Sequence, residues 1–178
     1  MLYKINKMKT EISDLIQTTS SKLLSLINSF DDQQIKAIPF EGSWMPAQAA
    51  DHLIKSCNLI LTALHGSAEK TERDPESNRD QIKNIFLDFN LKFQSPEMIR
   101  PSGTPAEKVF LVSELTAALN KIREALETMD LSVTALDVEL PGLGKLTKID
   151  WLYFFVFHTQ RHIHQLETIR IAINKIHN

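Results

Sequence analysis

Along four long stretches of the chain, apolar residues recur three and four positions apart, the spacing that lays them on one side of an α-helix. From about Thr10 to Phe30 that side carries Ile12, Leu15, Ile16, Leu23, Leu26 and Ile27. Pro39 and Gly42 then break the pattern. Pro46 suits the first turn of a second helix, where its missing N–H costs nothing, and this helix should reach about Leu64. Between Gly66 and Pro105 the chain is polar and irregular, a long excursion with one short helix after Asp74-Pro75 that ends near residues 85–89. A restart follows at Thr104-Pro105-Ala106-Glu107, which has capping-box spacing and proline at the first helical position. It leads through Phe110, Leu111, Leu115, Leu119, Ile122 and Leu126 to about Met129. Leu136, Val138 and Leu140 alternate with Asp137 and Glu139 like a very short strand before a Pro141-Gly142 turn. A lone strand makes no sheet, so this stretch is an ordered connector. Thr147 and Asp150 are spaced to cap a fourth helix that runs to about Lys175.

Four such helices, without internal repeats, predict an all-α bundle occupying residues 1–178 as a single domain. Composition agrees: at 178 residues, 43% apolar and 24% charged, the chain can bury a core without staples. Twenty basic against 22 acidic side chains give a net charge of −2, which argues against nucleic acid as the main partner. No stretch approaches the ~20 consecutive apolar residues of a membrane span, and the charges scattered through the first residues do not suit a secretory signal. Cys57 is the one cysteine, which excludes an internal disulfide and suits a reducing, cytoplasmic setting.

Candidate chemistry concentrates in the histidines. His158 and His162 are four apart on the fourth helix, about 40° apart in azimuth and one turn apart in height, as two imidazoles sharing a metal ion would be. Trp151, Phe154, Phe155, Gln165 and Ile169 continue their stripe, so the pair faces inward. On the second helix His52 lies among Ala49, Leu53, Ser56 and Ile60, where small neighbours leave room for an ion. Three imidazoles from two helices make a three-ligand site with an open position, the pattern of catalytic rather than structural centres. Chance alone yields about 0.2 such four-apart pairs in a chain with this histidine content, so spacing leaves metal ligands and bonded core histidines both open. His65, His164 and His177 fall off the stripe and read as surface residues. Arg161 is either a rim residue or an anion clamp, and Gln165 is placed to orient an imidazole from behind. Trp44, Phe154 and Phe155 are core aromatics with pocket-lining potential, and Cys57, about 140° from His52, is a small buried filler. Asp51 and Glu41 are the nearest carboxylates in sequence, and neither has an evident role as a general base.

The residues 42–56 (GSWMPAQAADHLIKS) and 143–169 (LGKLTKIDWLYFFVFHTQRHIHQLETI) together resemble the DinB-like superfamily of metalloenzymes, also called DinB/YfiT-like. The Trp-x-Pro entry to the second helix, the His-Leu pair after it and the HTQRHIHQ run carry the likeness most specifically. The resemblance implies a four-helix bundle holding a divalent metal, commonly nickel or zinc, on His52, His158 and His162. It further implies low-molecular-weight-thiol S-transfer or related chemistry on a small molecule, with frequent homodimers. Met45 departs from the serine or threonine that often caps the second helix in that family, so another group must cap it here. The expected function is thus a metal-dependent transferase or hydrolase in which a thiol or water is activated at the three-histidine site. A metal-binding or dimerisation module without turnover is the alternative.

Overall fold

The computed structural model describes residues 2–176, with side chains from 7 to 175, so the expected surface position of His177 lies outside the described residues. The described residues are all-α apart from a two-stranded ribbon. Five helices, α1 (Leu2–Asn28), α2 (Pro46–His65), α3 (Arg79–Leu87), α4 (Lys108–Thr128) and α5 (Lys148–Ile176), carry the core, with 3-10 turns at Gln34–Lys36 and Glu97–Ile99. The strands β1 (Ala68–Glu69) and β2 (Thr134–Ala135) pair antiparallel, Ala68 opposite Ala135 and Glu69 opposite Thr134.

The apolar stripes explain the packing. Ile12, Ile16 and Ile27 of α1 are completely buried, each contributing about 1.5–3 kcal/mol of apolar transfer. The long helices meet in a ring: α1 packs on α4 and α5, and α2 packs on the same two. The short α3 lies along α5, so α5 is surrounded, and residues 151–159 are buried on every side. That is why its first half is apolar all round instead of striped.

Local signals account for some helix ends and not for others. At the start of α2 the Gln48 side-chain oxygen accepts from the Met45 N–H at 3.0 Å, the return half of a capping box, while the Gln48 N–H that a hydroxyl would have met donates to the Met45 carbonyl at 3.0 Å. At α5 the Thr147 hydroxyl accepts from Asp150 N at 3.2 Å, while the Asp150 carboxylate turns away to Asn78 at 3.0 Å and Arg73 at 3.2 Å. The expected cap at Thr104-Pro105 is not used. Helix α4 begins at Lys108, with residues 104–107 outside the helix. Lys108 Nζ donates to the carbonyls of Asn28 (3.0 Å) and Phe30 (2.5 Å) at and just beyond the end of α1, and Glu107 pairs with Lys36 at 2.5 Å. These contacts anchor the chain beyond the sequence signal.

The strand-like alternation at Leu136–Leu140 forms no ladder, in keeping with an ordered connector, but the two residues just before it do: Thr134 and Ala135 pair with β1, while Leu140 meets only Gly144 in an isolated bridge. The Asp137 carboxylate instead accepts from Ser67 N at 2.8 Å, which ties the connector to the end of α2. Gly142, at φ +82°, takes the left-handed position of the turn that follows Pro141, and Leu143 N donates back to Leu140 O at 2.9 Å.

Candidate metal centre

Helices α2 and α5 bring three histidines together. Ala49 and Ser56, both buried, keep α2 slim on the side that carries His52, and the one-turn spacing on α5 stacks His158 above His162. Nε2 of His158 lies 3.2 Å from Nε2 of His52 and 3.1 Å from Nε2 of His162. One ligand atom from each ring falls within 4.8 Å of the other two. Three nitrogens bound about 2.1 Å from one ion would sit about 3.0–3.4 Å apart, and the two separations from His158 fall in that range.

Hydrogen bonding at the far side of the rings sharpens this fit. Nδ1 of His52 lies 2.7 Å from the Ile99 carbonyl, which can only accept, so this nitrogen carries the proton and Nε2 presents a lone pair. Nδ1 of His162 faces the Gln165 side-chain oxygen at 2.8 Å, which selects the same tautomer. His158 Nε2 then faces two lone pairs and has at most one proton to give. Without a cation, at least one of the two nitrogen contacts is unfavourable; a metal would accept all three lone pairs.

Electrostatics keep the rings in their ligating, neutral form. The histidines are 3%, 7% and 7% exposed, so charging any of them costs desolvation. Burial, reinforced by repulsion from His162 and His52, holds His158 well below the ordinary imidazole value of 6.5. Burial and the neighbouring His52 lower His162 to about 3, against the opposing Gln165 hydrogen bond. His52 is also lowered by burial, partly offset by the Ile99 carbonyl.

An aromatic wall surrounds the imidazoles. Phe154 stacks on His158 with centroids 5.1 Å apart, and Phe86 meets the same ring edge-on at 5.8 Å. Trp44, half-buried, lies 5.1 Å from His52 and parallel to His162 at 6.1 Å. Phe155 points into the core, and no ring contact among the described residues joins it to the histidines.

Arg161 is spent on the excursion: it donates to the carbonyls of Phe86 (3.3 Å), Asp88 (2.8 Å) and Leu91, and covers the Phe93 ring at 4.6 Å. The Asp51 carboxylate is bound by Lys55 and by Ser102 N, and Glu41 is exposed. His65 and His164 are exposed, and His164 stacks on Phe89 at 4.0 Å. Cys57 is buried, and its burial pushes the thiol up to about 12, which suits a packing role. Sequence reasoning missed Phe86, Ser95 and the Ile99 carbonyl. Ser95 Oγ lies 3.3 Å from His52 Nδ1, yet nothing in the irregular stretch around it signals a role.

The chain is 23% identical over 154 residues to the uncharacterized protein YuaE of Bacillus subtilis (strain 168), a match that covers 84% of this chain and 91% of YuaE. No solved structure matches the chain significantly. The family model of the DinB superfamily matches residues 15–166, a span that includes His52, His158 and His162, and the chain belongs to that superfamily.

Proposed function

We propose that His52, His158 and His162 hold a divalent metal ion, nickel or zinc, in a four-helix bundle of the DinB type, and that the site serves a transferase or hydrolase acting on a small molecule. The convergence of three buried Nε2 atoms carries this reading: two have their outer nitrogens committed to acceptors, and the third cannot satisfy both neighbours with one proton. A cation held by these three neutral imidazoles would keep its full charge and would lower the pKa of a bound water or low-molecular-weight thiol.

This chain's residues do the rest. Ile99 O and Gln165 hold two imidazoles in the ligating tautomer, and Trp44, Phe86 and Phe154 exclude bulk water from the rings. With Arg161 committed to backbone carbonyls, the wall beside His158 suits an uncharged or aromatic portion of a substrate. Residues 1–178 act as one domain, as the length suggests, in the reducing cytoplasmic setting that the single Cys57 suits, and pair as a homodimer, as the family resemblance implies.

Elemental analysis of protein purified without chelating tag or chelator tests the site. About one divalent ion per chain is expected in the wild type and none in His52→Ala, His158→Ala or His162→Ala. Full occupancy in His158→Ala, with helix content preserved, would overturn the assignment. Metal-loaded and metal-free protein would then be compared in thiol-transfer and hydrolytic assays, where only the loaded form should turn over.

A further inference from the structure

Two side chains of α2 flank His52 and grip the part of the excursion that touches it. Asp51 and Lys55, one turn apart, pair at 2.9 Å. Lys55 Nζ also donates to Arg100 O at 2.9 Å and Ser102 Oγ at 3.1 Å, which uses all three ammonium protons. Ser102 N donates to the same Asp51 oxygen at 2.7 Å. Residues 100 and 102 are thus clamped to α2, with Pro101 between them fixing the backbone of the link. Immediately before the clamp stands Ile99, whose carbonyl meets His52 Nδ1 at 2.7 Å and whose side chain is buried.

An exposed helical Lys–Asp pair contributes little by itself. Here both partners are half-buried, at 24% and 32% side-chain exposure, and each also bonds to a loop. We propose that Asp51, Lys55 and Ser102 form a latch whose role is to hold the Ile99 carbonyl on His52, and that Asp51 and Lys55 are positioning residues for the metal centre. The inference rests on the three-histidine reading for its purpose. Its geometry is independent of that reading. With the carbonyl in place His52 keeps its proton on Nδ1 and its lone pair on Nε2. Once released, a neutral imidazole favours the other tautomer, which cannot ligate through Nε2.

Two readouts on Asp51→Ala and Lys55→Met, both at partly exposed positions, test the latch in variants whose helix content by circular dichroism matches the wild type. In metal-free protein, long-range proton–nitrogen NMR should show His52 protonated on Nδ1 in the wild type and shifted toward Nε2 protonation in both variants, with the His162 pattern unchanged. Cobalt(II) titration should show affinity weakened about tenfold or more in the variants, with altered d–d bands. An unmoved tautomer overturns the latch, and so does a moved tautomer with cobalt affinity within about twofold of wild type. If the wild type binds no cobalt, the metal reading fails and the tautomer alone decides whether the latch acts on His52.

Discussion

His158 and His162 sit where an imidazole can be a ligand but not comfortably an acid. Burial is the first cause in both, and neighbouring histidines add repulsion once any ring charges. In the metal-free protein this makes stability depend on pH in a definite direction. The unfolded chain takes up these protons near 6.5, whereas the folded chain refuses them until far lower, about 3 for His162. Below 6.5 the unfolded state therefore binds more protons, so stability is fully present above that value and falls as pH drops toward the folded values. The limiting slope is about 1.4 kcal/mol per pH unit for each histidine. Chemical denaturation of metal-free protein at pH 7, 6 and 5 should show a falling midpoint, and His162→Ala should make the fall shallower. A midpoint that stays level across this window would mean that the rings are not held neutral by burial.

Helix α2 ends against the connector before α5 through one residue without a side chain. A Cβ on Gly66 would lie 2.3 Å from Asp137 Oδ2 and 2.8 Å from Thr62 O, although the glycine's own backbone is ordinary, with φ −72°. The requirement is therefore space, not conformation. Gly66→Ala should cost about 1–3 kcal/mol, read from urea midpoints, by pushing Asp137 off the Ser67 N–H that it binds at 2.8 Å. Pairing it with Asp137→Ala should recover part of that loss; an unaltered midpoint for Gly66→Ala would refute the contact. No pattern in the sequence announces this contact, whereas the stripe Ile12, Ile16, Leu23, Ile27 declares both a helix and its buried face, because burial imposes its period directly on residue type. The inward pair His158 and His162 was legible for the same reason. The start of α4 was not, since Lys108 reaches carbonyls at the end of α1 and tertiary contacts override the local cap at Thr104. Nor was the Ile99 carbonyl on His52, because every residue type offers a carbonyl and only the path of the excursion selects this one.

The three histidines also couple parts of the molecule distant in sequence. His52 comes from α2, which packs on α4, and His158 and His162 come from α5, which packs on α1 and α3. The excursion joins them at both ends, Arg161 gripping Phe86, Asp88 and Leu91 and the Asp51–Lys55 pair gripping residues 100 and 102. An ion on the three rings would clasp α2 to α5 across the core, and the ligand set would be lost when the chain unfolds. Binding should therefore stabilise the whole fold by linkage, about 2.7 kcal/mol when free metal is a hundredfold above Kd. For a chain of this size that is an increase in Tm of about 5–11 °C, reversed by a chelator. His52→Ala and His162→Ala should abolish the increase equally, although they lie on different helices, because a clasp fails at either end. An increase that survives in either variant would place the stabilising ion elsewhere, with the exposed imidazoles of His65 and His164 the first to test. Equal loss from α2 and from α5 is what separates a clasp across the core from an ion held at the surface of one helix.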